Sequence, residues 1–148
     1  MTFWDSTALV PLIVEEPASE AMRSLFESDP VILIWWGTPV ECLSAISRRE
    51  RERELAPGMA GDARRLLEDL VGHLHEILAS EEVRGHAQRL LLRHPLRAAD
   101  ALQLAAAMTW ARSRPRDHRF CTLDQRLAIA AREEGFHVLD AERASWAG

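Results

Sequence analysis

The sequence predicts an α/β protein: a three-layer α/β/α sandwich around a central parallel sheet of four or five strands. Three observations lead there. Val31 to Trp36, VILIWW, is a continuous apolar run bounded by Asp29-Pro30 and Gly37, the pattern of a strand buried on both faces and hence of a parallel sheet. Strand-like and helix-like segments alternate along the whole chain. Proline, glycine and capping residues punctuate them where such segments should meet.

Taken in order, Thr2 to Asp5 reads as a short strand and Ser6 to Val14 as a helix interrupted or kinked around Pro11. Glu15 to Pro17 forms a break. Ala18 to Ser28 then carries Ala21, Met22, Leu25 and Phe26 at helical spacing. After the Val31 strand, Thr38-Pro39 opens a long helix to about Glu54, ended by Pro57-Gly58. Met59 to Ser80 and Glu81 to Arg93 read as two further helices, followed by one from Leu96 to about Arg112. Arg119 to Thr122 is a strand, Asp124 to Glu134 a helix closed by Gly135, and His137 to Leu139 a last strand.

A chain of 148 residues can bury most of its apolar surface in one core, so a single domain over 1–148 is expected. It opens on MTFWD, without a basic segment and a long apolar run, so no secretory signal is expected. The longest apolar run is too short to span a bilayer. A soluble, cytoplasmic protein with no membrane partner follows as the expectation. Cys42 and Cys121, far apart and without ligand-type spacing, are expected to be buried free thiols.

The net charge of −5 argues against a broadly basic nucleic-acid coat, while leaving room for a local site. All 18 positive side chains are arginines. Without lysine, the P-loop nucleotide hydrolases are excluded, because they need a lysine to cradle phosphate. Haloacid-dehalogenase phosphatases and response-regulator receivers, which also place aspartates at the ends of parallel strands, are excluded for the same reason.

The stretch Leu96 to Ala107, LRAADALQLAAA, sets one carboxylate, Asp100, among small and apolar neighbours. At helical spacing Leu96, Gln103, Leu104 and Ala107 share its side, so Asp100 faces inward or into a cleft, where an ionised group needs a partner. Pro95 favours an extended His94 and a helix starting just after it, which also makes Asp100 a candidate helix-start acid. Asp5 ends the first strand and Asp124 follows the strand at Arg119, so both belong at the carboxyl edge, where open α/β sheets bind ligands. Glu41 lies one turn into the helix after the second strand.

Four acids are thus available to one cleft. Two carboxylates ~4 Å apart repel by ~4 kcal/mol at an effective dielectric near ~20, so such a cluster needs protons or a cation. Oxygen-only ligands suit a hard ion, Mg²⁺ or Mn²⁺. Each acid also has a plainer role available. Asp5 and Ser6 suit the cap of the first helix, and Thr38-Pro39-Val40-Glu41 has the form of a capping box. Asp124 either caps its own helix or, if Thr122 and Gln125 form a box, is left for other work.

Four segments together resemble the PIN-domain nucleases, particularly the VapC-type toxins of bacterial toxin-antitoxin pairs. They are WDSTALVPLIVEEPASEA, VECLSAISRR, LRAADALQLAAA and FCTLDQRLAIAAREEGFHVL, and they agree in order and spacing over nearly the whole chain. The resemblance makes Asp5, Glu41, Asp100 and Asp124 the acidic quartet, both catalytic and metal-holding, with Ser6 and Thr122 as supporting hydroxyls. It implies Mg²⁺-dependent (Mn²⁺ also suitable) cleavage of RNA, a small antitoxin partner covering the acidic groove, and a homodimer. Two departures stand out: Pro11 where many members carry a basic residue, and a motif-free Met59 to Arg93.

Arginines are the expected phosphate contacts: Arg48 and Arg49 near the Glu41 helix, and Arg112, Arg114, Arg116 and Arg119 before and within the following strand. Against this, the alternating RRERERE of Arg48 to Glu54 also reads as a solvated helix end. His73 and His75 point to different sides of a helix, and His86, His94, His118 and His137 form no motif. Trp35 and Trp36 face opposite layers and suit core packing, with Trp4, Trp110 and Trp146 read as core or interface. The competing reading is a non-catalytic PIN-like module that binds nucleic acid or protein.

Overall fold

The computed structural model describes residues 1–140; Trp146 lies outside them. Five strands, β1 (Thr2–Trp4), β2 (Ile32–Trp35), β3 (His75–Ile77), β4 (Arg119–Cys121) and β5 (His137–Leu139), form one sheet in the order β3-β2-β1-β4-β5, with every pairing parallel. Seven helices connect them among the described residues: α1 (Ser6–Ile13), α2 (Ser19–Ser28), α3 (Thr38–Arg51), α4 (Pro57–Val71), α5 (Glu81–Arg93), α6 (Ala98–Trp110) and α7 (Gln125–Glu134). This is the three-layer arrangement expected from the sequence.

Alternation along each strand builds the layers. Phe3, Leu33, Trp35, Phe120 and Val138 point to a core shared with α5, α6 and α7, where Phe3 and Phe120 stack with ring centroids 5.3 Å apart. Their neighbours Trp4, Ile32, Ile34 and Cys121 point the other way, to a core shared with α1, α2, α3 and α4. Alanine-rich α6 is buried from Leu104 to Met108, which lets it seat close to the sheet.

Three expectations are corrected. Met59 to Ser80 is not one helix: α4 ends at Val71, and His75–Ile77 becomes the outer strand β3, paired with β2. Its two polar residues are exposed, so no apolar alternation marked it. The interruption at Pro11 does not occur; α1 runs through it, and the buried proline forfeits only the bond to the Thr7 carbonyl near the helix end. Trp35 packs into the core, but Trp36 is 56% exposed, since β2 ends before it.

One polar group ties the amino edge of the sheet. Asp29 accepts from the Thr2 hydroxyl at 2.8 Å, pairs with the chain's amino group at 2.6 Å and also pairs with Arg119 at the start of β4. Burial alone would raise its carboxyl, but the amino group, Thr2 and Arg119 outweigh it and hold the pKa below the ordinary carboxylate value. Its contribution to stability is therefore present above the unfolded carboxylate pKa and is lost as pH falls through the lower folded value. Asp29→Asn is expected to lower the thermal midpoint by about 3 °C at neutral pH, a size set by a solvent-screened pair, and to narrow that difference in acid. Differential scanning calorimetry from pH 7 down to pH 3 checks both.

Candidate active site

The strand order runs outward from β1 to β2 and β3, then returns to place β4 and β5 on the other side. The order therefore reverses between β1 and β4. In an open parallel sheet, the crevice beyond the carboxyl ends of two such strands is where ligands bind. Asp5 follows β1 and Asp124 follows β4 shortly before its helix. A groove of about 750 Å³ opens at this point, lined by Glu41, Asp100 and Asp124 together with Ser6, Thr7, Ser44, Arg48, Arg49, Arg97 and Arg126.

Asp5 lies beneath that groove, 2% exposed. Its carboxylate accepts from the Thr7 hydroxyl at 2.7 Å, the Thr122 hydroxyl at 2.8 Å and the Ala8 backbone N–H at 3.1 Å, the last bond capping α1. Burial pushes its pKa up to about 7 against the pull of those donors, and the Glu41 charge adds to the rise. Thr7 also accepts from the Leu123 N–H at 2.9 Å, so one hydroxyl ties the start of α1 to the loop after β4. Thr122 was expected as a supporting hydroxyl; Thr7 was missed, because WDST offers Ser6 as the nearer candidate. Ser6 lines the groove, and its hydroxyl helps to hold the Glu41 pKa down.

Neither candidate capping box forms. The residue before α3 is Gly37, with no side-chain cap, and Thr38 turns inward to the buried Gln103. Glu41 is thereby released from capping: its Oε2 accepts from Gln103 Nε2 at 2.6 Å. Burial and the Asp100 charge raise the Glu41 pKa, opposed by the Gln103 bond and, less, by the Ser6 hydroxyl. At α7, Asp124 is the cap, its Oδ1 accepting from the Leu127 N–H at 2.8 Å, while Thr122 accepts from the Asp124 N–H at 3.1 Å. Asp124 thus caps and lines the groove at once.

Asp100 is half-buried in the first turn of α6. Burial raises its pKa first and the Asp124 charge second, while the Arg97 backbone and the Arg97 and Arg126 charges oppose the rise. The charges are therefore linked in series: Glu41 raises Asp5, Asp100 raises Glu41 and Asp124 raises Asp100. The acids surround the groove without meeting at one point: among the described residues no three His, Cys, Asp or Glu side chains are gathered as a ready ligand set. An all-oxygen donor set in which Asp5, Glu41 and Asp100 have raised pKa values still suits a hard ion that keeps part of its water shell.

Of the candidate arginines, Arg48 and Arg49 line the groove, and Arg49 is ion-paired with Glu16. Arg112, Arg114, Arg116 and Arg119 do not line it, and Arg119 sits at the amino edge of the sheet with Asp29. Arg97 and Arg126, which do line it, were missed; each stands beside a groove acid at a helix start. Cys42 and Cys121 are buried free thiols, as expected, and burial pushes the Cys42 pKa up to about 12. No described helix is long and apolar enough to cross a membrane.

The fold and groove define a PIN-like α/β protein. No protein-family model matches the chain. It is similar to ribonucleases VapC45 and VapC49 of Mycobacterium tuberculosis, each 28% identical over 108 residues that make up 73% of this chain and 75% of the relative. Among solved structures it resembles PAE2754 from Pyrobaculum aerophilum (TM-score 0.65, 18% identity, 99% of this chain and 93% of that one). It also resembles FitAcB from Neisseria gonorrhoeae (TM-score 0.66, 16% identity, 94% and 96%). The resemblance to VapC-type PIN-domain proteins read from the sequence is borne out.

With no cation bound, ionised Asp5 is a liability. Because its folded pKa lies above the unfolded one, the folded state holds the proton more tightly, and stability falls as pH rises from about 4 to 7. In EDTA, Asp5→Asn, which retains a capping oxygen, is expected to flatten that fall in thermal midpoint. Parallel pH profiles of the two proteins would exclude Asp5 as its source.

Proposed function

We propose that this protein is a metal-dependent endoribonuclease, the toxin of a toxin-antitoxin pair, which hydrolyses RNA phosphodiester bonds in its acidic groove in the cytoplasm. The observation that carries the reading is the collection of Glu41, Asp100 and Asp124 around one groove, above buried Asp5, where the strand order reverses. Four separate segments supply them, and no helix cap needs Glu41 or Asp100. The names of the curated relatives point the same way.

Asp5 and Asp100 are the principal holders of Mg²⁺ or Mn²⁺, with Glu41 and Asp124 completing the set. Such an ion, when bound, polarises the scissile phosphate and lowers the pKa of a bound water. Glu41, its pKa raised by burial and by Asp100, orients the attacking water for in-line displacement and accepts its proton; Asp124 is the alternative base. No covalent intermediate is needed. Arg48, Arg49, Arg97 and Arg126 stand on the groove wall, where flanking phosphates would lie. The expected partners are RNA, a second copy of the chain, and a small antitoxin that places an arginine or lysine in the groove.

Two outcomes test the reading. Millimolar Mg²⁺ or Mn²⁺ should raise the thermal midpoint by mass action, and EDTA should reverse the rise. Asp100→Asn should lower the cleavage rate on RNA at least ~100-fold, the scale of an interaction worth ~2.7 kcal/mol to the transition state, while the metal-free protein stays folded. Cleavage by Asp100→Asn at the wild-type rate would remove Asp100 from the site. A folded wild type that binds RNA but neither cuts it nor responds to the ions would be a non-catalytic binding module.

A further inference from the structure

Gln103 is 1% exposed and lies within the LRAADALQLAAA segment; it does not line the groove itself but hydrogen-bonds Glu41, which does. Its amide nitrogen donates to Glu41 Oε2 at 2.6 Å and to Thr38 Oγ1 at 2.9 Å. Both acceptors lie on α3, whose apolar side packs in one core, whereas the neighbours of Gln103 on α6 pack in the core across the sheet. The side chain therefore joins the two helical layers beyond the carboxyl edge. It stands three residues after Asp100, and in a helix residues three apart share a face. One rigid helix thus carries Asp100 itself and the amide that holds Glu41.

We infer that Gln103 is a positioning residue, fixing the Glu41 carboxylate relative to Asp100 so that the groove binds a divalent cation; the inference rests on the metal-dependent reading above. A plain structural role would ask only that a buried amide be satisfied, which Thr38 and the protein interior can do. Holding a carboxylate that lines an open groove goes further. The donor contacts an oxygen that would otherwise turn toward water, at the short distance of a charge-assisted bond. Groups that orient metal-binding side chains in this manner alter affinity or activity by about 10–100-fold when removed.

The test uses Gln103→Met, close in length but without a donor, and Gln103→Asn, which keeps an amide but withdraws it from Glu41. Mn²⁺ binding is measured by isothermal titration calorimetry on folded, EDTA-stripped protein, alongside thermal midpoints and RNA cleavage. The inference expects Mn²⁺ affinity to fall about tenfold in either variant, with unfolding still cooperative. It further expects no additional fall when Gln103→Met is combined with Glu41→Gln, because the held carboxylate is then gone. Wild-type affinity in both single variants overturns it, and so does an undiminished loss in the Glu41→Gln background, which marks a structural role. Absence of Mn²⁺ binding by the wild type is a different result: it overturns the metal-dependent reading itself and this inference with it.

Discussion

The constraint on which this structure turns is negative charge confined at the carboxyl edge of a parallel sheet. Asp5 is 2% exposed, and the protein surrounds it with the Thr7 hydroxyl, the Thr122 hydroxyl and the Ala8 N–H. Neutral donors of this kind contribute roughly 1 kcal/mol each; burial outweighs the three of them, and the Glu41 charge adds only the smallest push in the same direction. The pKa near 7 records which side prevails. Hydroxyl donors steady the geometry without neutralising the charge, and the site keeps its appetite for a cation or a proton.

The fold follows from meeting that constraint with helices from both layers. Helices α1 and α3 belong with one core, α6 and α7 with the other, and the starts of all four contribute to the groove. Asp5 and Asp124 each cap a helix while serving the site, so the peptide dipoles at the starts of α1 and α7 share in stabilising the acids. Capping and site-building therefore do not compete here. The two roles that looked like alternatives in the sequence are carried by the same carboxylates.

Much of this was legible in one dimension and some was not. VILIWW announced a doubly buried strand, and the apolar lead into Asp5 placed it at a strand end. The small residues around Asp100 marked a helix that packs closely and keeps a carboxylate. Strand β3 was illegible because an edge strand of two exposed polar residues has no apolar period to read. The capping box at Thr38 failed for a different reason: Thr38 and Glu41 find their partner in Gln103, 65 and 62 residues away, and local spacing carries no record of that. Thr7 and Arg126 escaped for the same reason, since only the folded groove selects them from their neighbours.

A groove of unneutralised acids beside so many arginines should collapse into ion pairs, and its survival needs a cause. Arg49 lines the groove with Glu41, Asp100 and Asp124, yet it is tied to Glu16 on the α1–α2 connection, with both side chains about four-fifths buried. Arg97 and Arg126 stand nearer Asp100 but remain exposed at helix starts, where water screens their attraction. Their charges lower the Asp100 pKa only in part, and it stays above its ordinary value. Arg49 is thus held back by a competing carboxylate, and Arg97 and Arg126 by solvent. Acids and guanidinium groups therefore line one groove without neutralising each other, the combination that the proposed phosphodiester substrate requires.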